Sequence, residues 1–141
     1  MADKKYKIGY TTGVFDMFHI GHLNILRRAK EQCEYLIVGV STDELVREYK
    51  HKTPVIPFEE RIEIVKAIRY VDKVVAQTTM DKLVAWKEFE FDAMFHGSDW
   101  ANSSLYAEYE KVLERVGAKL VFLPHTTGTS STMLMEKLQG L

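Results

Sequence analysis

The run Tyr35-Leu-Ile-Val-Gly-Val40 constrains this chain more than any other stretch. It has no charged residue and is rich in β-branched side chains, so it offers water no polar face. Such a run suits a strand covered on both sides, as in the middle of a parallel sheet. A parallel neighbour needs a crossover of about a dozen residues or more, usually a helix. The flanks should therefore alternate between strand and helix. Residues 6–12 read as a strand ended by Gly13. Residues 20–32 read as a helix with Leu23, Ile25, Leu26 and Ala29 inward and Arg27, Arg28 and Lys30 outward. Ser41-Thr-Asp-Glu44 has the spacing of a capping box and predicts a further helix start.

Residues 47–57 hold basic residues and two prolines and are expected as a loop, with Pro57 placed for the first turn of a helix over 58–69. Phe58, Ile62, Val65 and Ile68 would share one face of that helix. Strands are expected at 71–76, 91–96 and 120–123. Helices are expected at 79–89, 103–116 and 130–138, with Gly117 a helix stop. This alternation predicts an α/β fold: a Rossmann-like single domain over residues 1–141, with a five-stranded parallel sheet and helices on both faces. Such sheets bind ligands beyond the carboxyl ends of their strands, where the strand order switches. The residues able to do chemistry fall after strands: 11–22 after the first, 98–100 after the fourth and 125–132 after the fifth.

The densest of these is Gly13-Val-Phe-Asp-Met-Phe-His-Ile-Gly-His22. His19 and His22 are three apart, so on a helix they share a face. Gly21 between them has no side chain and would let a ligand approach the backbone. A helix start also offers free N–H groups and the positive end of its dipole. Two imidazoles and a helix N-terminus make a phosphate site. The plainer reading is that they pack against or cap the helix. Lys50-His51-Lys52 could close over a polyphosphate and neutralise charge at an attacked phosphorus. As plain structure it is a solvated basic loop. Arg61 and Arg69 are eight apart on the expected helix. Gly97-Ser-Asp-Trp100 and the hydroxyl-rich 126–132 complete the candidates, with a Trp-bearing turn and an N-cap as their structural counterparts.

The absences narrow the class. There is no Gly-x-Gly-x-x-Gly fingerprint, no Gly-Lys-Ser/Thr loop and no His-Glu-x-x-His pair, which disfavours a dinucleotide dehydrogenase, a kinase or a zinc hydrolase of those types. A zinc pair at His19 and His22 lacks clear partners, although His51, His96 and His125 are also present. A net charge of −1 lacks the basic excess of a nucleic-acid binder. No apolar run reaches the roughly 18 residues of a membrane span, and Met1-Ala-Asp-Lys-Lys5 has no apolar signal core. A cytoplasmic protein that binds neither membrane nor nucleic acid is expected. The lone Cys33 is expected to be a structural thiol.

The His-x-Gly-His segment with its Gly-x-Phe-Asp lead-in resembles the signature of the nucleotidylyltransferase superfamily. Together with Ser41-Thr-Asp-Glu44, Glu60-Arg61, Ile68-Arg-Tyr-Val-Asp72, Gly97-Ser-Asp-Trp100 and Gly128-Thr-Ser-Ser-Thr132, the chain is similar to the glycerol-3-phosphate cytidylyltransferases of teichoic-acid and capsule precursor synthesis. The resemblance implies that an alcohol phosphate such as glycerol 3-phosphate attacks the α-phosphorus of CTP, giving a CDP-alcohol and pyrophosphate. His19, His22 and Lys52 would be catalytic. Thr12, Gly13, Val14, Phe15, Gly21, Asp99, Trp100, His125, Thr126, Ser131 and Thr132 would bind nucleotide. Lys50, Arg61 and Arg69 would bind the second substrate. Mg²⁺ would travel with CTP, with no dedicated protein ligands, and the protein would be a homodimer. Two positions depart from the family pattern: His125 stands where an arginine is usual, and Ser98 where an aspartate is usual. Another alcohol or polyol phosphate, ATP as donor, or a nucleotide-binding module without turnover remain open alternatives.

Overall fold

The computed structural model describes residues 4–98, 103–126 and 128–141. Its elements run β1 (Tyr6–Gly13), α1 (Ile20–Gln32), β2 (Cys33–Ser41), α2 (Asp43–Lys50), α3 (Phe58–Lys66), β3 (Lys73–Gln77), α4 (Lys82–Phe89), β4 (Ala93–Gly97), α5 (Ser104–Glu114), β5 (Lys119–Leu123) and α6 (Ser131–Gln139). All strand pairs are parallel, in the order β3-β2-β1-β4-β5. The chain steps from β1 outward to β3, then returns to β4 on the other side of β1. The switch in strand order therefore lies between β1 and β4, where a ligand crevice is expected.

β2 pairs with both β1 and β3, and every residue from Leu36 to Ser41 is buried. Its alternate side chains feed two cores, as a period of two requires. On one face Leu36, Val38, Val40 and Phe95 meet Leu26 and Ala29 of α1 and Val65 of α3. On the other, Tyr10, Ile37 and Met94 meet Leu113 of α5, with Ala85, Trp86 and Phe89 of α4 packed alongside. Gly9 is needed where β1 passes the end of α1, because a Cβ there would lie 2.7 Å from Cys33 Sγ and 2.7 Å from the Phe95 ring. Cys33 is buried, its Sγ donates to the Ala29 carbonyl (3.3 Å), and burial pushes its pKa up to about 11. It is the structural thiol that was expected.

Most element ends shift by one to three residues from the sequence expectation, and around α2 and α3 the shifts have local causes. The cap of α2 is Thr42, whose Oγ1 accepts from the Leu45 amide (3.2 Å). Ser41 instead donates to Gln77 Oε1 (2.6 Å) and joins β2 to β3. Helix α2 continues through Lys50 and stops at His51, a left-handed residue with φ of 56°, so Lys50 sits on a helix rather than in a loop. Helix α3 ends at Lys66, three residues early. Ile68 and Val71 keep the apolar spacing but pack on the core from a turn, and Arg69 is therefore not helical.

Candidate active site

The turn from β1 into α1 is held by histidines. His19 is the N-cap of α1, and its Nδ1 accepts from the Gly21 amide (3.0 Å). His22 Nδ1 accepts from the His19 amide (3.1 Å). The pair forms a capping box built from imidazoles, with ring centroids 3.9 Å apart. A Cβ on Gly21 would lie 2.8 Å from His19 Cε1, so the missing side chain makes room for the His19 ring, and the residue also lines the cavity. Both Nδ1 atoms accept hydrogen bonds, so each ring carries its proton on Nε2, left free as a donor. Burial lowers the His19 pKa. It lowers that of His22 further, to about 3, with help from His19 and Lys50 against the opposing pull of Asp16. Both rings are neutral donors near neutral pH. Phe15, buried in the core, sets its ring 5.5 Å from that of His22 and fixes its tilt.

Asp16 organises what surrounds this turn. Its carboxylate accepts from the amides of Val55 (2.8 Å) and Ile56 (2.9 Å), and its carbonyl accepts from Ser131 Oγ (2.8 Å). The segment after α2 and the start of α6 are thus fastened to one residue. Its neighbours Phe15 and Met17 both have positive φ (55° and 50°), a strained conformation that Asp16's bonds help to hold.

The cavity at the carboxyl ends of β1 and β4 measures about 360 Å³, within the range of small-molecule sites. Thr12, Gly13, Val14, Phe15, His19, Gly21 and His22 line it from β1 and α1. Lys50 and Lys52 enter from α2 and the following turn, His125 and Thr126 from the β5–α6 connection, and Ser131 from the start of α6. The missing Cβ of Gly13 makes room for the Phe15 ring, 3.0 Å away. Asn24 donates to Thr126 Oγ1 (3.0 Å) and Arg28 to the Pro124 carbonyl (2.9 Å), tying that connection to α1. Ser130 caps α6, its Oγ accepting from the Met133 amide (3.0 Å), so the N-termini of α1 and α6 open on the same cavity. Burial lowers the Lys50 pKa, with Lys52 adding to it and Asp16 opposing.

Several expected site residues lie elsewhere. Arg61 is buried at 1% exposure and engaged through all three nitrogens: Nε donates to the Ile56 carbonyl (2.8 Å), Nη1 to those of Val14 and Ser41 (2.7 Å each), and Nη2 to Asp43 (2.6 Å). It is a strut rather than a substrate group. Arg69 is exposed, stacks on the Tyr70 ring and lies before β3, at the opposite end of the sheet from the cavity. Thr132 lines only a smaller adjoining recess, shared with Lys52 and Ser131. Asp99 and Trp100 lie outside the described residues. Thr11 and Asp16, inside the 11–22 stretch but given no role there, and His96, named only as a possible zinc partner, also line the cavity. The only signal for His96 was a polar residue closing an apolar strand. Among the described residues no group of three or more His, Cys, Asp or Glu could hold a metal. The described residues do not fit a dedicated metal cage.

A sequence model described as cytidylyltransferase-like matches residues 10–137. The glycerol-3-phosphate cytidylyltransferase of Staphylococcus aureus is 34% identical over 131 residues, covering 92% of this chain and 93% of that protein. The FAD synthase of Thermococcus kodakarensis is 35% identical over 128 residues, covering 89% and 85%. Among solved structures, a lipopolysaccharide core biosynthesis protein from Thermoplasma volcanium superposes with a TM-score of 0.73 at 22% identity, covering 88% of this chain and 99% of that one. At that identity the likeness speaks for the fold.

Proposed function

This chain belongs to the cytidylyltransferase-like family of nucleotidyltransferases, and from that premise we propose that it transfers a cytidylyl group from CTP to glycerol 3-phosphate. The observation that carries the reading is the imidazole capping box. It leaves two neutral Nε2–H donors beside Lys50 and Lys52, at a cavity onto which two helix N-termini open. That is a site for a polyphosphate.

An oxygen of the acceptor phosphate attacks the α-phosphorus of CTP. The bond from that phosphorus to the bridging oxygen breaks, and its electron pair leaves with pyrophosphate, giving CDP-glycerol. The nucleophile is already an anion, so no strong general base is required. The chain's work is to align two anions and to stabilise charge on the five-coordinate phosphorus. His19 and His22 donate to the α-phosphate oxygens. Lys50 and Lys52 neutralise the phosphates, and Asp16 keeps the lysine segment in place. Mg²⁺ accompanies the CTP phosphates in this reading and neutralises part of their charge. The resemblance further supports a homodimer acting in the cytoplasm on teichoic-acid or capsule precursors.

A second reading rests on the FAD synthase relative, which is as similar as the cytidylyltransferase: ATP as donor and a flavin phosphate as acceptor. Pyrophosphate release from CTP, ATP, UTP and GTP, each crossed with glycerol 3-phosphate, other alcohol phosphates and flavin mononucleotide, decides between them. The first reading expects release confined to CTP with glycerol 3-phosphate. Release with ATP and the flavin supports the second, and CTP binding without release under any pair contradicts both.

A further inference from the structure

Among the polar groups at the cavity to which the phosphate chemistry gives no part, His96 stands apart. His96 lies near the carboxyl end of β4, is 8% exposed and lines the cavity. Its Nδ1 is 3.5 Å from the Tyr106 hydroxyl, with the two rings edge to face at 4.7 Å. Its Nε2 is buried without a hydrogen-bond partner, and no other side-chain atom among the described residues shares that condition. Buried polar groups are nearly always paired, so an orphan in a cavity wall asks what it pairs with.

The surroundings restrict the answer. Residue 96 points to the same side of the sheet as Met94, towards α4 and α5. Lys82 of α4, 3% exposed, places its Nζ 4.9 Å from the Tyr109 ring of α5, and its charge is felt at His96. Burial first, and Lys82 second, hold the His96 pKa down at about 3, so the ring is neutral. The neutral ring can donate or accept a hydrogen bond according to tautomer, so an uncharged polar group suits it in either form, and Lys50 and Lys52 line the cavity beside His19 and His22 to take the phosphates. β4 lies directly beside β1, pairing Phe95 with Thr11, so His96 and the histidine turn open on one cavity from different strands.

We infer that His96 is a specificity-determining residue whose Nε2 hydrogen-bonds an uncharged hydroxyl, amino or amide group of a substrate, while His19, His22 and the lysines hold the phosphates. The identity of the substrates rests on the transfer reading above. The group could belong to the acceptor's alcohol or to the sugar or base of the nucleotide.

The test compares the unaltered protein with His96→Met, which fills the space without a hydrogen bond, and His96→Gln, whose amide restores a polar atom near Nε2. Pyrophosphate release gives kcat and the KM of CTP and of glycerol 3-phosphate. Calorimetry gives the binding of each without turnover. His96→Met is expected to weaken one of the two substrates about ten- to a hundredfold, with the other unchanged and kcat within about threefold. His96→Gln should recover part of that loss. A raised KM for glycerol 3-phosphate assigns the group to the alcohol, and one for CTP assigns it to the nucleoside. Removing an orphaned buried nitrogen should leave the melting temperature of the free protein unchanged or raised, whereas a purely structural histidine would lower it. Unchanged affinities for both ligands, or a lower melting temperature with unchanged affinities, overturn the inference. If the unaltered protein binds CTP and glycerol 3-phosphate but releases no pyrophosphate, the transfer reading fails while the binding comparison still decides His96. Binding of neither ligand overturns both.

Discussion

Two basic regions sit on either side of Pro57, and their contrast explains how this site is built. Lys50 and Lys52 line the cavity, and neither has a carboxylate partner among the described residues. Arg61, one helix later, has been drawn wholly into the protein: three backbone carbonyls and Asp43 take its donors. Both began as plausible phosphate ligands by residue type. What separates them is whether the fold's own acceptors reach the cation first. A guanidinium bonded through all three of its nitrogens holds the β1 turn, β2, α2 and the segment before α3 in register. An unpaired ammonium beside neutral imidazoles is free to meet an anion. The same division applies to hydroxyls, since Ser131 donates its proton to Asp16 and so clamps α6 to the turn.

The contrast breaks most sharply at Arg61. Arg61→Met should cost about 3–5 kcal/mol in urea denaturation, because the Asp43 carboxylate and three carbonyls lose their partner together. A cost under about 1 kcal/mol would remove the strut from the account. Lys52→Ala should do the reverse: kcat/KM falls about a hundredfold, while the denaturation midpoint stays in place. Arg69→Ala, as the control on the exposed stack with Tyr70, should change neither activity nor melting temperature. The neutral histidines add a pH dependence. His22 and His96, both lowered from 6.5 to about 3, are neutral when folded and protonate readily when unfolded. Between about pH 3 and 6.5 the unfolded chain binds more protons, so stability falls as pH falls, by up to about 1.4 kcal/mol per pH unit for each histidine. Denaturation midpoints from pH 6.5 down to 5 measure that slope, and His96→Met should remove its share.

Sheet and helix order were legible because they depend on local periodicity. The charge-free run around Leu36 suits a strand covered on both sides, and the spacing of Phe58, Ile62 and Val65 suits an amphipathic helix. Element ends were less legible. Nothing in the composition of His51 marks it as the left-handed stop of α2, and the apolar spacing of Ile68 continues after α3 has ended. Of the candidate site, the histidine turn was readable because its four residues cap one another locally. Arg61 was misread because its acceptors, Val14 and Ser41, come from distant parts of the chain. Gly21 was read correctly as needing an absent side chain, but the neighbour that requires it is His19. His96 gave almost no sign, since its significance lies in the partner it lacks.

The central claim is that the capped histidine pair does the chemistry, and pyrophosphate release from CTP and glycerol 3-phosphate by His22→Ala tests it most directly. The variant must first be shown folded by its far-ultraviolet spectrum and melting transition. The account predicts a rate at least about a hundredfold below that of the unaltered protein, the scale of a lost transition-state donor. A folded His22→Ala protein that releases pyrophosphate within a few-fold of the unaltered rate would contradict it.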